Sequence, residues 1–182
     1  MAGLSTDLRK LLNTPEPPTL GPERRPGALA ITQINASLKK LGQLASASSE
    51  QLLRATVYLW HDHLEEAHSI AQEIGGPEGS YLHGIMHRRE PDYGNARYWF
   101  NRVGKHPCFI QLAKRSEEIL ASGKVPELAR SLNKSGQWDP YAFIAACERA
   151  VQKGNTTEIQ QLREIQAAEL EILLEHFAAM GP

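Results

Sequence analysis

The sequence predicts an all-α fold, and three observations lead there. Leucine (22) and alanine (21) dominate while valine occurs only four times. That balance favours helices, where straight side chains lose little rotamer freedom and β-branched ones lose more. Apolar residues recur at the three- and four-residue spacing of a helix face. Capping residues, prolines and glycines punctuate the chain at helix-length intervals. At 182 residues the chain can build one domain with a sizeable core. The expected architecture is a single domain of about seven or eight helices over residues 28–182, preceded by an N-terminal arm, residues 1–27.

The arm is read from its five prolines, Pro15, Pro17, Pro18, Pro22 and Pro26, which remove backbone donors and bias their neighbours away from helix. Leu8, Leu11 and Leu12 could make one helical turn there. Beyond it, Ile31, Ile34, Leu38 and Leu41 sit at helical spacing. Ser48 with Gln51 has the form of a capping box opening a second helix that runs to Tyr58 or Trp60. Asp62 with Glu65 repeats that form and opens a helix carrying Leu64, Ala67, Ile70, Ala71 and Ile74, with Gly75-Gly76 as its stop. Helices are then expected from Ser80 to Glu90, from Asp92 to near Gly104, from Pro107 to Gly123, and from Val125 to about Lys134. Asp139-Pro140 pairs an N-cap with proline at the first helical position, and Gly154 ends that helix. Thr157 with Gln160 opens the last, over about residues 157–179. Its stripe of Ile159, Leu162, Leu170, Leu173, Leu174 and Phe177 serves either packing onto the domain or a homodimer seam.

Charge and composition exclude some function classes. Twenty basic and 21 acidic residues give a formal charge of −1, so no global positive field exists to hold a nucleic-acid backbone. No run of about 18 apolar residues appears and the N-terminus lacks a secretory signal, which predicts a cytoplasmic protein with no membrane partner. Cys108 and Cys147 form neither a CxxC nor a disulfide framework and are expected as reduced thiols.

Five of the seven histidines (His61, His63, His68, His83, His87) fall within 27 residues, interleaved with Asp62, Glu65, Glu66, Arg88, Arg89, Glu90 and Asp92. Imidazoles titrate, ligate metals and hydrogen-bond at both nitrogens, so this cluster is where function is expected. At about 100° per residue, His83, His87 and Glu90 share one helix face beside that of Leu82, Ile85 and Met86. The three form a candidate site for a divalent metal. HGIMH lacks the glutamate of HExxH, which argues against a zincin protease. Glu65 and His68 have the Glu-x-x-His spacing of di-iron bundles, but no second such pair exists. Arg88, Arg89 and Arg97, with Tyr93, Asn95 and Tyr98, supply donors suited to a carboxylate or phosphate. Equally, Arg88 and Arg89 can pair with Glu90, Asp92 or Glu66 and fasten helices. Asp62 is a cap before it is a ligand, and His63, turned toward an apolar stripe, is expected as a hydrogen-bonded core residue. Cys108 near His106 is a weak nucleophile candidate without a third orienting group.

Gly84, Ala96, Phe100 and Val103, followed by Pro107, have the small-then-aromatic spacing of a tetratricopeptide antiparallel helical hairpin, and this stretch resembles that repeat. Where the repeat usually has leucine and a bulky aromatic, this chain has His83 and His87. The segments WHDHLEEAHSIAQ (60–72) and HGIMHRREPDYGNARYWFNRVGKHP (83–107) are similar to a family of small helical proteins of bacteria and fungi without an assigned activity. His61-Asp62 also resembles the histidine-aspartate pair of HD phosphohydrolases, but no histidine precedes it.

The function expected from these residues is a non-catalytic binding module. Its polar pocket would be lined by His61, His68, His83, His87, Arg88, Arg89, Glu90 and Tyr93, and would hold a small anionic ligand or the acidic group of a protein partner. Two alternatives stay open: a metal-dependent hydrolase using the same histidines, and a structural or dimeric scaffold in which the cluster only ties helices together.

Overall fold

A computed structural model of the chain describes residues 6–40, 47–121, 125–134 and 136–180. Within them the fold is all-α. Ten helices run α1 (Thr6–Leu12), α2 (Ile31–Lys40), α3 (Ala47–Trp60), α4 (Leu64–Ala71), α5 (Gly76–Arg89), α6 (Tyr93–Val103), α7 (Cys108–Leu120), α8 (Pro126–Leu132), α9 (Pro140–Lys153) and α10 (Thr156–Ala179). A hairpin of two residues per strand, Asn133–Lys134 against Gln137–Trp138, sits between α8 and α9. Leu41, the Ser48 side chain and Gly123 lie outside the described residues.

The caps show where sequence logic held and where it failed. Asp92 accepts from Asn95 N at α6, Asp139 accepts from Tyr141 N and Ala142 N ahead of Pro140 at α9, and Gly154 closes α9 in the left-handed region at φ 63°. Asp62 is not a cap: the residue before α4 is His63, with no side-chain capping bond. Gly75 and Gly76 do not close α4, which ends at Ala71 with Gln72 as its C-cap and leaves Ile74 outside the helix. Gly75 is the N-cap of α5, which starts at Gly76 with Pro77 in its first turn, four residues before the expected Ser80. Asn155, accepting from Glu158 N, caps α10 in place of Thr157. Residues 133–134 leave the helical path and form the hairpin.

The core is one apolar cluster to which every helix contributes. α5 packs along α6, and Gly84 allows it: a Cβ there would lie 2.6 Å from the Phe100 ring, inside its van der Waals surface. The glycine makes room for the aromatic, and Ala96, Phe100 and Val103 are buried beside it. α10 packs on α3, α7 and α9, with Leu162, Leu170, Leu173, Leu174 and Phe177 fully buried, so its stripe is spent inside the chain. No described helix is long and apolar enough to cross a membrane.

The arm lies against the helices. Leu8, Leu11, Leu12 and Leu20 join the core. Its proline-rich backbone forms no helix between residues 13 and 30, so its carbonyls need other donors, and side chains supply them. Arg163 donates to Pro17 O and Pro18 O, and Gln166 donates to Thr19 O.

Candidate functional site

The turn between α3 and α4 carries His61, Asp62 and His63, and all three are buried. Asp62 adopts φ 63°, a left-handed conformation that a short polar side chain tolerates better than most. This turn aims its carboxylate inward. One oxygen accepts from Arg25 N at 3.1 Å and Arg25 Nη1 at 2.7 Å, and the other accepts from Arg89 Nη2 at 2.6 Å. Arg89 is fully buried and also donates to Leu59 O, Thr19 Oγ1 and Gly21 O. Burial lowers its pKa to about 10, with Asp62 opposing that shift, so Arg89 stays charged at neutral pH.

The two flanking imidazoles are equally occupied. His61 Nδ1 accepts from Leu29 N and its Nε2 donates to Leu11 O at 2.8 Å. Burial holds His61 neutral, its pKa pushed down to about 4. His63 Nε2 donates to Leu29 O at 2.8 Å, and its Nδ1 faces Arg24 Nη2 at 3.2 Å. The segment is a clasp that locks the arm to the helices. His61 and Asp62 have their polar atoms bonded by protein, as do the two terminal nitrogens of Arg89.

Arg88 is also internal. Its Nη2 donates to Glu169 Oε2 at 2.5 Å and to Gln166 Oε1 at 3.2 Å, and its guanidinium lies 4.4 Å from the centre of the Phe143 ring. Both arginines therefore fasten the structure, as one of the two sequence readings held, but to Asp62 and Glu169 rather than to Glu90, Asp92 or Glu66. Tyr93 is partly buried and packs against the core, and burial raises the pKa of its phenol.

His68, His83 and His87 do come together. Ring centroids lie 5.1 Å apart for His68 and His83, 5.7 Å for His68 and His87, and 6.2 Å for His83 and His87. The α4–α5 packing brings the first ring to the other two, which sit one helical turn apart on α5. His83 Nδ1 donates to Gly79 O at 3.1 Å and its ring stacks on Trp99 at 4.1 Å. His87 Nδ1 lies 3.4 Å from Glu90 Oε2, and its Nε2 is 3.1 Å from Asn95 Nδ2. His68 touches the other two rings, and its imidazole has no hydrogen bond among the described residues; both His68 and His87 are partly exposed. Burial, assisted by the neighbouring imidazoles, lowers the pKa of His83. It does the same for His87 against the opposing pull of Glu90 and Asp92.

A second polar group lies at the α7–α10 junction. Among the described residues, His106, Cys108 and His176 are the set of three ligand-type side chains whose donor atoms lie within 4.8 Å of one another. His83, His87 and Glu90 are not drawn to that distance. Burial pushes the Cys108 thiol up to about 12 and holds His106 down at about 4, so this pair is not an activated nucleophile. Cys147 is likewise raised to about 12 by burial. The sequence offered no sign of His176, which stands 68 positions beyond Cys108 and arrives only through the packing of α10. Glu169 and Arg25 were missed for the same reason.

Protein-family models, curated proteins and solved structures contain no match to this chain.

Proposed function

We propose that the chain is a non-catalytic binding module whose contact group is His68, His83 and His87. Its ligand is an acidic group, a carboxylate or phosphate carried by a small molecule or by a protein partner. The observation that carries this reading is the convergence of three imidazoles, one of which has no hydrogen bond among the described residues. Trp99 forms a flat wall beside them, and Glu90 and Asn95 stand at the rim. Arg88, Arg89 and His61 leave the pocket, because the terminal guanidinium nitrogens and the imidazole bond to protein, and Tyr93 packs against the core.

Losing the arginines changes the chemistry of recognition. No permanent cation remains in the trio, so an anion gains charge-assisted bonds only when an imidazole is protonated. Burial lowers the pKa of His83 and of His87, so a proton is taken up less readily in the free protein. Binding is therefore coupled to proton uptake and tightens as pH falls, about tenfold per unit for each proton taken up. A non-catalytic role fits the two unactivated thiols and the two buried carboxylates, Asp62 and Glu169, already committed to arginine.

Calorimetric titration of the full chain with inorganic phosphate and with a glutamate-rich peptide, at pH 7.5 and pH 5.5, tests this. Tighter binding at the lower pH, lost on His83→Gln and on His87→Gln, is the expected result; preference for the peptide would point to a protein partner. Binding that ignores pH, or survives both substitutions, would overturn the assignment.

A further inference from the structure

The histidine trio is not the only cluster of ligand-type side chains. His106 lies in the turn after α6, Cys108 is the first residue of α7, and His176 lies near the end of α10. The close packing of α7 on α10 brings them together, with the rings of His106 and His176 edge to face at 5.2 Å. We propose that His106, Cys108 and His176 bind a divalent transition-metal ion of the zinc type, and that this ion ties the start of α7 to the end of α10.

The donor set carries the argument. Two imidazoles and a thiolate suit a borderline-soft ion, and hard cations such as magnesium or calcium prefer oxygen. In a tetrahedral zinc site, bonds of about 2.0–2.3 Å place ligand atoms roughly 3.3–3.8 Å apart. The 4.8 Å limit within which these three already lie leaves a contraction of about 1 Å, within the reach of side-chain rotation. His106 is already in a usable tautomer. Its Nδ1 accepts from the Cys108 backbone N–H at 3.3 Å, so the ring proton sits on Nε2 and the Nδ1 lone pair faces the cysteine. That 3.3 Å contact is long for a hydrogen bond and is the one an ion would replace.

Access and a fourth ligand are also in place. A cavity of about 450 Å³ opens beside the group, with Cys108, His176 and Glu175 on its wall. Water from this cavity can supply the last position. Coordination replaces the Cys108 S–H bond by a metal–sulfur bond and releases one proton to solvent; no electron is transferred.

Cobalt titration of the untagged, reduced full chain tests the site, because a thiolate on cobalt gives a near-ultraviolet charge-transfer band that imidazoles alone do not. The expected result is one cobalt per chain with that band. Cys108→Ser should abolish the band, His176→Gln should weaken binding about tenfold or more, and His83→Gln should change neither. His176 is partly exposed, so its variant remains informative if Cys108→Ser does not fold. Absence of binding, cobalt bound without the thiolate band, or binding removed by His83→Gln while His176→Gln is silent would each overturn the proposal. The last result would move the metal to the trio.

Discussion

Two stretches of the same histidine-rich region meet different fates. His61, Asp62 and His63 are saturated by protein, whereas His68, His83 and His87, 5 to 24 positions beyond His63, bring their rings together with fewer hydrogen bonds to protein. The difference lies in what passes nearby. The proline-rich arm runs past the first group with carbonyls and amides that no helix consumes, and Leu11, Leu29, Thr19 and Gly21 claim the imidazoles and Arg89. Among the described residues the second group adjoins helices, whose peptide groups are largely bonded already, and Gly79 O is the one backbone group that takes a hydrogen bond from it. A buried polar cluster thus becomes structure where unsatisfied backbone adjoins it, and stays available where it does not.

The largest expected effect separates the two groups directly. Asp62→Ala strands two buried guanidinium groups and should destabilise the fold by about 3–5 kcal/mol, read as a lower denaturation midpoint. An effect under about 1 kcal/mol would mean that the clasp is not closed in solution. Next, His61→Leu leaves Leu29 N and Leu11 O without their partner and should cost about 1–3 kcal/mol, again by denaturant titration. By contrast, His68→Gln touches no hydrogen bond and should stay within about 0.5 kcal/mol of the parent while weakening phosphate binding at pH 5.5.

Acid sharpens the same comparison. His61 and His106 have folded pKa values near 4 against 6.5 in the unfolded chain, so the unfolded state binds more protons between those values. Stability is therefore fully present above pH 6.5 and falls as pH drops toward 4. Chemical denaturation at pH 7, 5.5 and 4.5 should show a progressive loss, and His61→Gln should flatten that slope; a pH-independent midpoint would contradict the buried, neutral assignment.

Much of the fold was legible because helix signals are local. Asp92, Asp139-Pro140 and Gly154 mark real termini, and Gly84 opposite Phe100 sets the α5–α6 approach. The Asp62 cap failed because a long-range attraction outweighed a local one: two arginines, 37 residues before and 27 after, compete for its carboxylate. The site was legible only in part for the same reason. That His83 and His87 share a face follows from helical geometry, but the arrival of His68, the departure of Arg88 to Glu169, and the meeting of Cys108 with His176 depend on docking between helices, which no spacing rule encodes.

The contrast between the two histidine groups is tested most directly by imidazole nitrogen NMR of the full chain at pH 6, with and without inorganic phosphate. The resonances of His68, His83 and His87 should move on addition while those of His61 and His63 stay fixed. Movement of His61 or His63, or no movement in any of the five, would contradict the account.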